Sequence, residues 1–209
     1  MKIAIFGSSG FAREVADLCH DIGYREMVFI DSSAEGEEIS GMKVLGDKDI
    51  KNLTKMDYNF TIGIGNPEIR RKISETYPKL NFPNLIHPSV TLGRGQKQII
   101  DKSCGIQITA GCRLTNNISV GNFCVFNLNT VVGHDVIFGD YVSIMSMVVI
   151  SGNVSIGENT YIGSGAIIPN GKIDKKLLIG NNVFIGLGSV VTKRIRDGQR
   201  VYGNPAHRI

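Results

Sequence analysis

Ten apolar residues stand six apart without a miss: Leu114, Val120, Phe126, Val132, Phe138, Ile144, Ile150, Ile156, Ile162 and Ile168. After one break the beat resumes at Ile179, Ile185 and Val191. Two places before the markers the residue is small or β-branched, as at Cys124, Thr130, Val136, Val142, Val148, Val154, Thr160 and Ala166. A helix repeats every three or four residues and a free strand every two, so strict sixes predict short strands joined by regular corners. The marker and the residue two before it share a strand face and point inward. The next two or three positions, such as Gly133-His134-Asp135 and Ser151-Gly152-Asn153, are glycine-rich or polar and form the corner. Three hexads, eighteen residues, close one triangular coil of a solenoid.

The first part of the chain follows other rules. Met1 to Phe6 reads as a strand, Gly7-Ser8-Ser9-Gly10 as a turn, Phe11 to Ile22 as a helix, and Met27 to Ile30 as a second strand ending at Asp31. Strand, glycine turn, helix, strand and acid is the opening of a nucleotide-binding βαβ unit: glycines let the backbone approach a diphosphate, helix N–H groups face its oxygens, and the acid accepts from the nucleoside. GSSG is not the GxGxxG fingerprint, so a plain glycine turn is the competing reading. Phe60 to Ile64 predicts another strand, followed by Gly65-Asn66-Pro67 and a helix. Both turns then lie at the carboxyl edge of one sheet, where they can line a single pocket. This organisation divides the chain into residues 1–84 and 85–209, with Leu85 to Val90 entering the first coil.

Composition narrows the function. No apolar run reaches the roughly 18 residues of a membrane span and the start lacks a signal-peptide pattern, so the expectation is a cytoplasmic protein. Cys19, Cys104, Cys112 and Cys124 lack CxxC spacing and read as buried, reduced thiols. A net charge of +4 with few aromatics argues against nucleic acid and suits a small acidic ligand.

The segments GSSGFAREVADL, FIDSS, IGIGNPEIRRKI, NLIHPSV, VVGHDVIFGD and YGNPAHRI occur in that order and span essentially the whole chain. In them the sequence resembles the hexapeptide-repeat sugar acetyltransferases of the bacillosamine-pathway N-acetyltransferase and sialic acid O-acetyltransferase type. The resemblance implies an α/β, Rossmann-like N-terminal domain that binds a nucleotide-linked sugar. It further implies an all-β, left-handed parallel β-helix that binds acetyl-CoA, and a homotrimer with active sites between neighbouring prisms. Carried over by position, His134 is the general base and Asp135 orients its ring, though relatives often have glutamate there. Gly152, eighteen residues on, stacks over His134 and offers an N–H to the thioester oxygen. Ser143 and Ser164 fall at coenzyme positions, Ser143 where some relatives carry histidine. Ser9, Gly10 and Phe11 map to the diphosphate, Asp31 and Ser32 to the nucleoside, and Gly65 and Asn66 to the same acceptor site. Asn127 is either near the reacting groups or a corner cap. The loop Pro169 to Leu178 projects towards coenzyme or a neighbouring subunit. Lys193, Arg194, Arg196 and Arg200 are either coenzyme-phosphate contacts or a solvated tail.

The expected activity is N-acetylation of a UDP-4-amino-sugar type of acceptor for bacterial surface glycan, without a metal. O-acetylation of a sialic-acid-like sugar and a non-catalytic nucleotide-sugar scaffold are the alternatives. A γ-type carbonic anhydrase needs three converging histidines, and only His134 lies in the regular coils.

Overall fold

The computed structural model describes residues 1–209. Lys2–Phe6 (β1) has no polar alternation, and Ile3, Ala4 and Ile5 are fully buried, as befits an interior strand covered on both faces. Glu26–Ile30 (β2) and Asn59–Ile62 flank it in parallel. Beyond β2 lie Glu38–Ile39 (β3) and Met42–Leu45 (β4); with Asn59–Ile62 as β5 the sheet order is β3-β4-β2-β1-β5, antiparallel only at β3. Helix α1, Gly10–Asp21, crosses between β1 and β2 and buries Ala12, Val15, Ala16, Leu18 and Cys19. Helices α2, Ile50–Lys55, and α3, Pro67–Thr76, follow. Strand β5 stops at Ile62, short of the expected Ile64: a Cβ on Gly63 would meet the Ala12 Cα at 2.6 Å, so here the chain turns under α1.

From Leu85 onward strands of two or three residues recur and stack into three parallel faces. The first holds Leu85–Ile86, Gln107–Ile108, Val125–Phe126, Ser143–Ile144, Tyr161–Ile162 and Phe184–Ile185; the second Thr91–Leu92, Arg113–Leu114, Val131–Val132, Val149–Ile150 and Ile167–Ile168; the third Ile137–Phe138, Val154–Ile156 and Leu177–Ile179. Pairing of Val132 with Ile150 and of Ile150 with Ile168 fixes eighteen residues per coil, as expected. Every marker of the six-residue beat is buried, and so is each small residue two before it. The product is a parallel β-helix following an α/β unit. Its first coil is irregular: helix α4, Gln96–Ile100, takes the place of a strand and plugs the base, where the Gln96 amide both donates to and accepts from the Ile118 backbone.

Two positions in each corner have separate jobs. Glycine directly after a marker serves close approach: a Cβ on Gly133 would meet the Gly152 nitrogen of the next coil at 2.8 Å. The residue three after a marker adopts the left-handed conformation, as at Asn117, Asn129, Asp135, Asn153 and Asn159. Asparagine and aspartate tolerate that conformation best among residues with side chains.

The α/β unit packs on the first face of the coil. Gln107 donates from that face to Thr61 and to the Ile62 carbonyl, and Ser143 donates to the Gly65 carbonyl at 2.8 Å.

Candidate active site

His134 sits two residues after its marker, at the corner between the second and third faces, and its side chain is exposed. Neighbouring side chains on a strand point apart. Here φ of 59° at Asp135 folds the carboxylate back over the ring, so that His134 Nδ1 and Asp135 Oδ2 stand 2.7 Å apart. An ionised carboxylate only accepts, which assigns a proton to Nδ1, so that in the neutral form of the ring Nε2 carries the lone pair. Asp135 is itself fixed: the Asn117 amide donates to its other oxygen and Lys176 to its carbonyl. Hydrogen bonds from Asn117 and then from His134 hold its pKa below the usual carboxylate value, so it stays ionised at neutral pH.

Gly152 lies over the imidazole, as the eighteen-residue coil requires. A Cβ placed on it would come within 2.6 Å of His134 Cε1 and Nε2, so the basic edge of the ring faces a backbone without a side chain. One expectation needs correction. The Gly152 N–H is not free: it donates to Oδ1 of Asn170, the residue a further coil up. Asn117, Asn170 and Lys176 were not singled out from the sequence. The arithmetic that located Gly152 also locates the first two, since Asn117 is eighteen residues before Asp135 and Asn170 eighteen after Gly152. The loop from Pro169 does project beside this corner, and Lys172, Lys175, Lys176 and Arg194 surround a cavity of about 420 Å³ there.

On the α/β unit most of the expected acceptor residues line two cavities. Asp31 and Ser32 line one of about 330 Å³ with Gly7, Asp47 and Lys72. Phe11, Gly65, Asn66 and Asn127 line another of about 480 Å³, closed on the coil side by Met145, Tyr161 and Phe184. Both turn regions contribute to each, since Gly7 and Ile64 line the first and Phe11 and Gly65 the second, while Asn66 caps α3, where its side chain accepts from the Glu68 and Ile69 N–H groups. The N-terminus of α1 differs: Ser9 makes no side-chain cap and a Cβ on Gly10 would meet nothing nearer than the Arg13 guanidinium at 3.9 Å, so its first N–H groups are available to an anion. Asp31 accepts from Ser8 at 2.7 Å and from Ser33. Burial pushes its pKa up, but the bonds from Ser33 and Ser8 outweigh that and leave it lowered.

Ser143, expected at a coenzyme position, does not reach the surface of the chain. It is fully buried on the first face between Arg70 and Gly65, because its strand lies under the α/β unit. Ser164 is exposed at the corner between the first and second faces, the corner that also carries Asn127, and not in the His134 column. Asn127 is buried, caps the Leu128 N–H as the corner-cap reading expects, and faces the second cavity. Lys193, Arg194 and Arg196 line a cavity of about 320 Å³ with His207 and Arg208, whereas Arg200 lies over the Phe184 ring at 4.3 Å. Cys19, Cys112 and Cys124 are buried free thiols, but Cys104 is exposed. No helix is long and apolar enough to cross a membrane.

Known proteins share this architecture throughout. Residues 2–77 match the PglD N-terminal domain, and residues 135–170 match the bacterial transferase hexapeptide of six repeats. The chain is 30% identical to a GDP-perosamine N-acetyltransferase of Escherichia coli O157:H7, over 98% of this chain and 95% of that protein. WeeI of Acinetobacter baumannii AYE is 30% identical with a TM-score of 0.89, over 100% of both chains. The acetyltransferase domain of PglB from Neisseria gonorrhoeae FA1090, solved with acetyl coenzyme A, is 29% identical with a TM-score of 0.87, over 100% of this chain and 98% of that one. A corner imidazole backed by a carboxylate, a β-helix and a docked α/β unit therefore come together in a chain that belongs to the acetyl-CoA-dependent, hexapeptide-repeat sugar acetyltransferases of the bacillosamine and perosamine type.

Proposed function

We propose that the enzyme transfers an acetyl group from acetyl-CoA to the amine of a nucleotide-linked sugar, with His134 as general base. The observation that carries the proposal is the Nε2 edge of His134 beside the bare backbone of Gly152, with Asp135 holding the other nitrogen. In this reading the sugar nitrogen attacks the thioester carbonyl carbon while Nε2 takes a proton from it. The tetrahedral intermediate collapses with cleavage of the C–S bond, and the imidazolium returns its proton to the departing CoA thiolate. The Gly152 N–H stabilises the oxyanion once Asn170 releases it, a donor typically worth ~10²–10³ in rate. No covalent acyl-enzyme is required.

Residues 1–84 act as the Rossmann-like acceptor domain and residues 85–209 as the acetyltransferase domain, a coil of left-handed winding as the family resemblance implies. Ser9, Gly10 and Phe11 meet the diphosphate, Asp31 and Ser32 the nucleoside, and Gly65, Asn66 and Asn127 the sugar side. Ser164 and the lysines of the loop meet the coenzyme.

The base and the acceptor cavity lie on opposite sides of one prism, since the α/β unit covers the first face and His134 occupies the corner between the other two. A complete site then needs a second copy. The outward side of the second face favours this: Val131, Val149 and Ile167 form an apolar stripe, 39%, 39% and 45% exposed. When three copies turn that face to a common axis, the His134 corner of one meets the Asn127 corner of the next. The enzyme is accordingly a homotrimer working in the cytoplasm.

The test is CoA release with UDP-, GDP-, dTDP- and CMP-linked amino and hydroxy sugars. The sequence reading puts UDP on the sugar, while the E. coli relative is named for a GDP-linked one. Turnover of an amino sugar, lost in His134→Ala, supports the proposal. Turnover of hydroxyl acceptors alone makes this an O-acetyltransferase, and activity unchanged in His134→Ala refutes the base.

A further inference from the structure

Arg70, on α3, is the largest fully buried side chain in the protein, 1% exposed, and no carboxylate pairs with it. Its guanidinium instead donates to five oxygens. Two belong to the turn before its own helix, the Ile64 carbonyl at 3.2 Å and the Gly65 carbonyl at 3.0 Å. Three belong to the coil: the carbonyls of Phe123 at 3.1 Å and Tyr141 at 2.9 Å, and Ser143 Oγ at 2.8 Å. Desolvation lowers its pKa to about 10, which still leaves it charged at neutral pH.

A buried, unpaired cation is an expensive way to join two surfaces, because apolar residues of the same volume do so without the desolvation penalty. What the guanidinium supplies is direction: a planar fork that no lysine reproduces, aimed at acceptors on both units. The acceptors are also arranged at a cost. Phe123 and Tyr141 occupy the left-handed corner position with φ of 55° and 60°, where most other corners use asparagine, aspartate or glycine and only Met147 is another large apolar residue, and their rings stack 5.4 Å apart. Strained corners and a buried charge converge on the Gly65 carbonyl, which accepts from both Arg70 and Ser143. The next residue is Asn66, and that turn forms one wall of the cavity whose other wall is Asn127, Met145, Tyr161 and Phe184.

We infer that Arg70, with Ser143, is a positioning residue that fixes the Gly65-Asn66 turn against the coil and so sets the shape of the acceptor cavity. It touches no reacting atom. The inference rests on the reading of that cavity as the sugar site, and it reassigns Ser143 from the coenzyme to the acceptor side.

Arg70→Lys and the milder Ser143→Ala test it, with Michaelis constants for both substrates and amide hydrogen exchange at Glu68 and Ile69, whose N–H groups the Asn66 cap protects. The expected result is a KM for the nucleotide sugar raised about tenfold, an unchanged KM for acetyl-CoA, and faster exchange confined to those amides and the adjoining turn. Equal rises in both constants, or faster exchange throughout the coil, make Arg70 a purely structural bolt and overturn the inference. So does unchanged exchange at Glu68 and Ile69. Should the wild type acetylate no nucleotide-linked sugar, the functional reading falls, and the exchange measurement alone still decides whether Arg70 fixes the turn.

Discussion

Replacing Gly152 by alanine isolates the position of the imidazole from everything else in the site. The backbone tolerates the change, because Gly152 lies outside the left-handed region. The new methyl group does not fit where the ring now lies: its Cβ would stand 2.6 Å from His134 Cε1 and Nε2, where ordinary contact begins at 3.4 Å. The ring must therefore retreat by about 0.8 Å, since the backbone on the other side is held in register by the coil. A misplacement of about 1 Å in a reacting group costs on the order of 10²-fold in rate. We expect kcat/KM for acetyl transfer, followed as CoA thiol release, to fall about 10²-fold with the melting temperature nearly unchanged. In a His134→Ala background the same substitution does little further harm, because both changes remove one function. Activity within threefold of wild type in Gly152→Ala refutes the placement of the base against this glycine.

Asn170→Ala frees the Gly152 N–H, and if the amide competes with the thioester for that donor, the KM for acetyl-CoA falls about fivefold, the worth of one net hydrogen bond; a raised KM shows that Asn170 binds coenzyme instead. Native protein releases one equivalent of thionitrobenzoate per chain from an aromatic disulfide, from exposed Cys104, and four after denaturation. Burial pushes Cys19 and Cys124 up to about 12, so raising the pH from 7 to 9 leaves them protonated and the native count unchanged; a count above one refutes this. Light scattering should give three times the 22.8 kDa chain mass. Co-refolding His134→Ala with an Asn127→Ala variant, both of low activity, should restore activity by forming some sites with one intact corner from each chain; no restoration places the whole site within one copy.

The six-residue beat made the coil legible because each marker has to be buried in the same way, and the phase carries over to any residue at a fixed offset. That is why the stacking of Gly152 on His134 followed from counting alone. The beat fails where side chains stop repeating. Gln96 plugs the first coil through polar contacts with Ile118, which no apolar period reveals. Ser143 occupies a strand position whose outward neighbour is supplied by another part of the chain, so its burial under Arg70 depends on docking of the α/β unit rather than on the repeat. Likewise Asn66 is the cap of α3 as well as a turn residue, a role that the order of elements alone does not reveal.

On the proposed mechanism, the geometry of the corner also explains why chemistry is confined to one rung. One place after a marker a side chain tends to collide with the coil above, and three places after it the chain must turn left-handed. Two places after it the side chain is free to project, but it stacks on the equivalent residue of the next coil, as where the Asn122 N–H is capped by Asp140 and the Glu158 N–H by Asn181. Such a stack satisfies the backbone and fills the space. From Asn116 to Lys193 the residues at this offset are Asn, Asn, Leu, His, Asp, Ser, Gly, Glu, Ser, Asn, Asn, Leu and Lys, so glycine occurs once, at Gly152. The ring below it, at His134, is the one side chain in this series with a bare backbone above its reactive edge. In the proposed mechanism a solenoid built for burial thus becomes a site by omitting a single side chain one coil above the base, and the left-handed turn common to most corners brings Asp135 back to orient it.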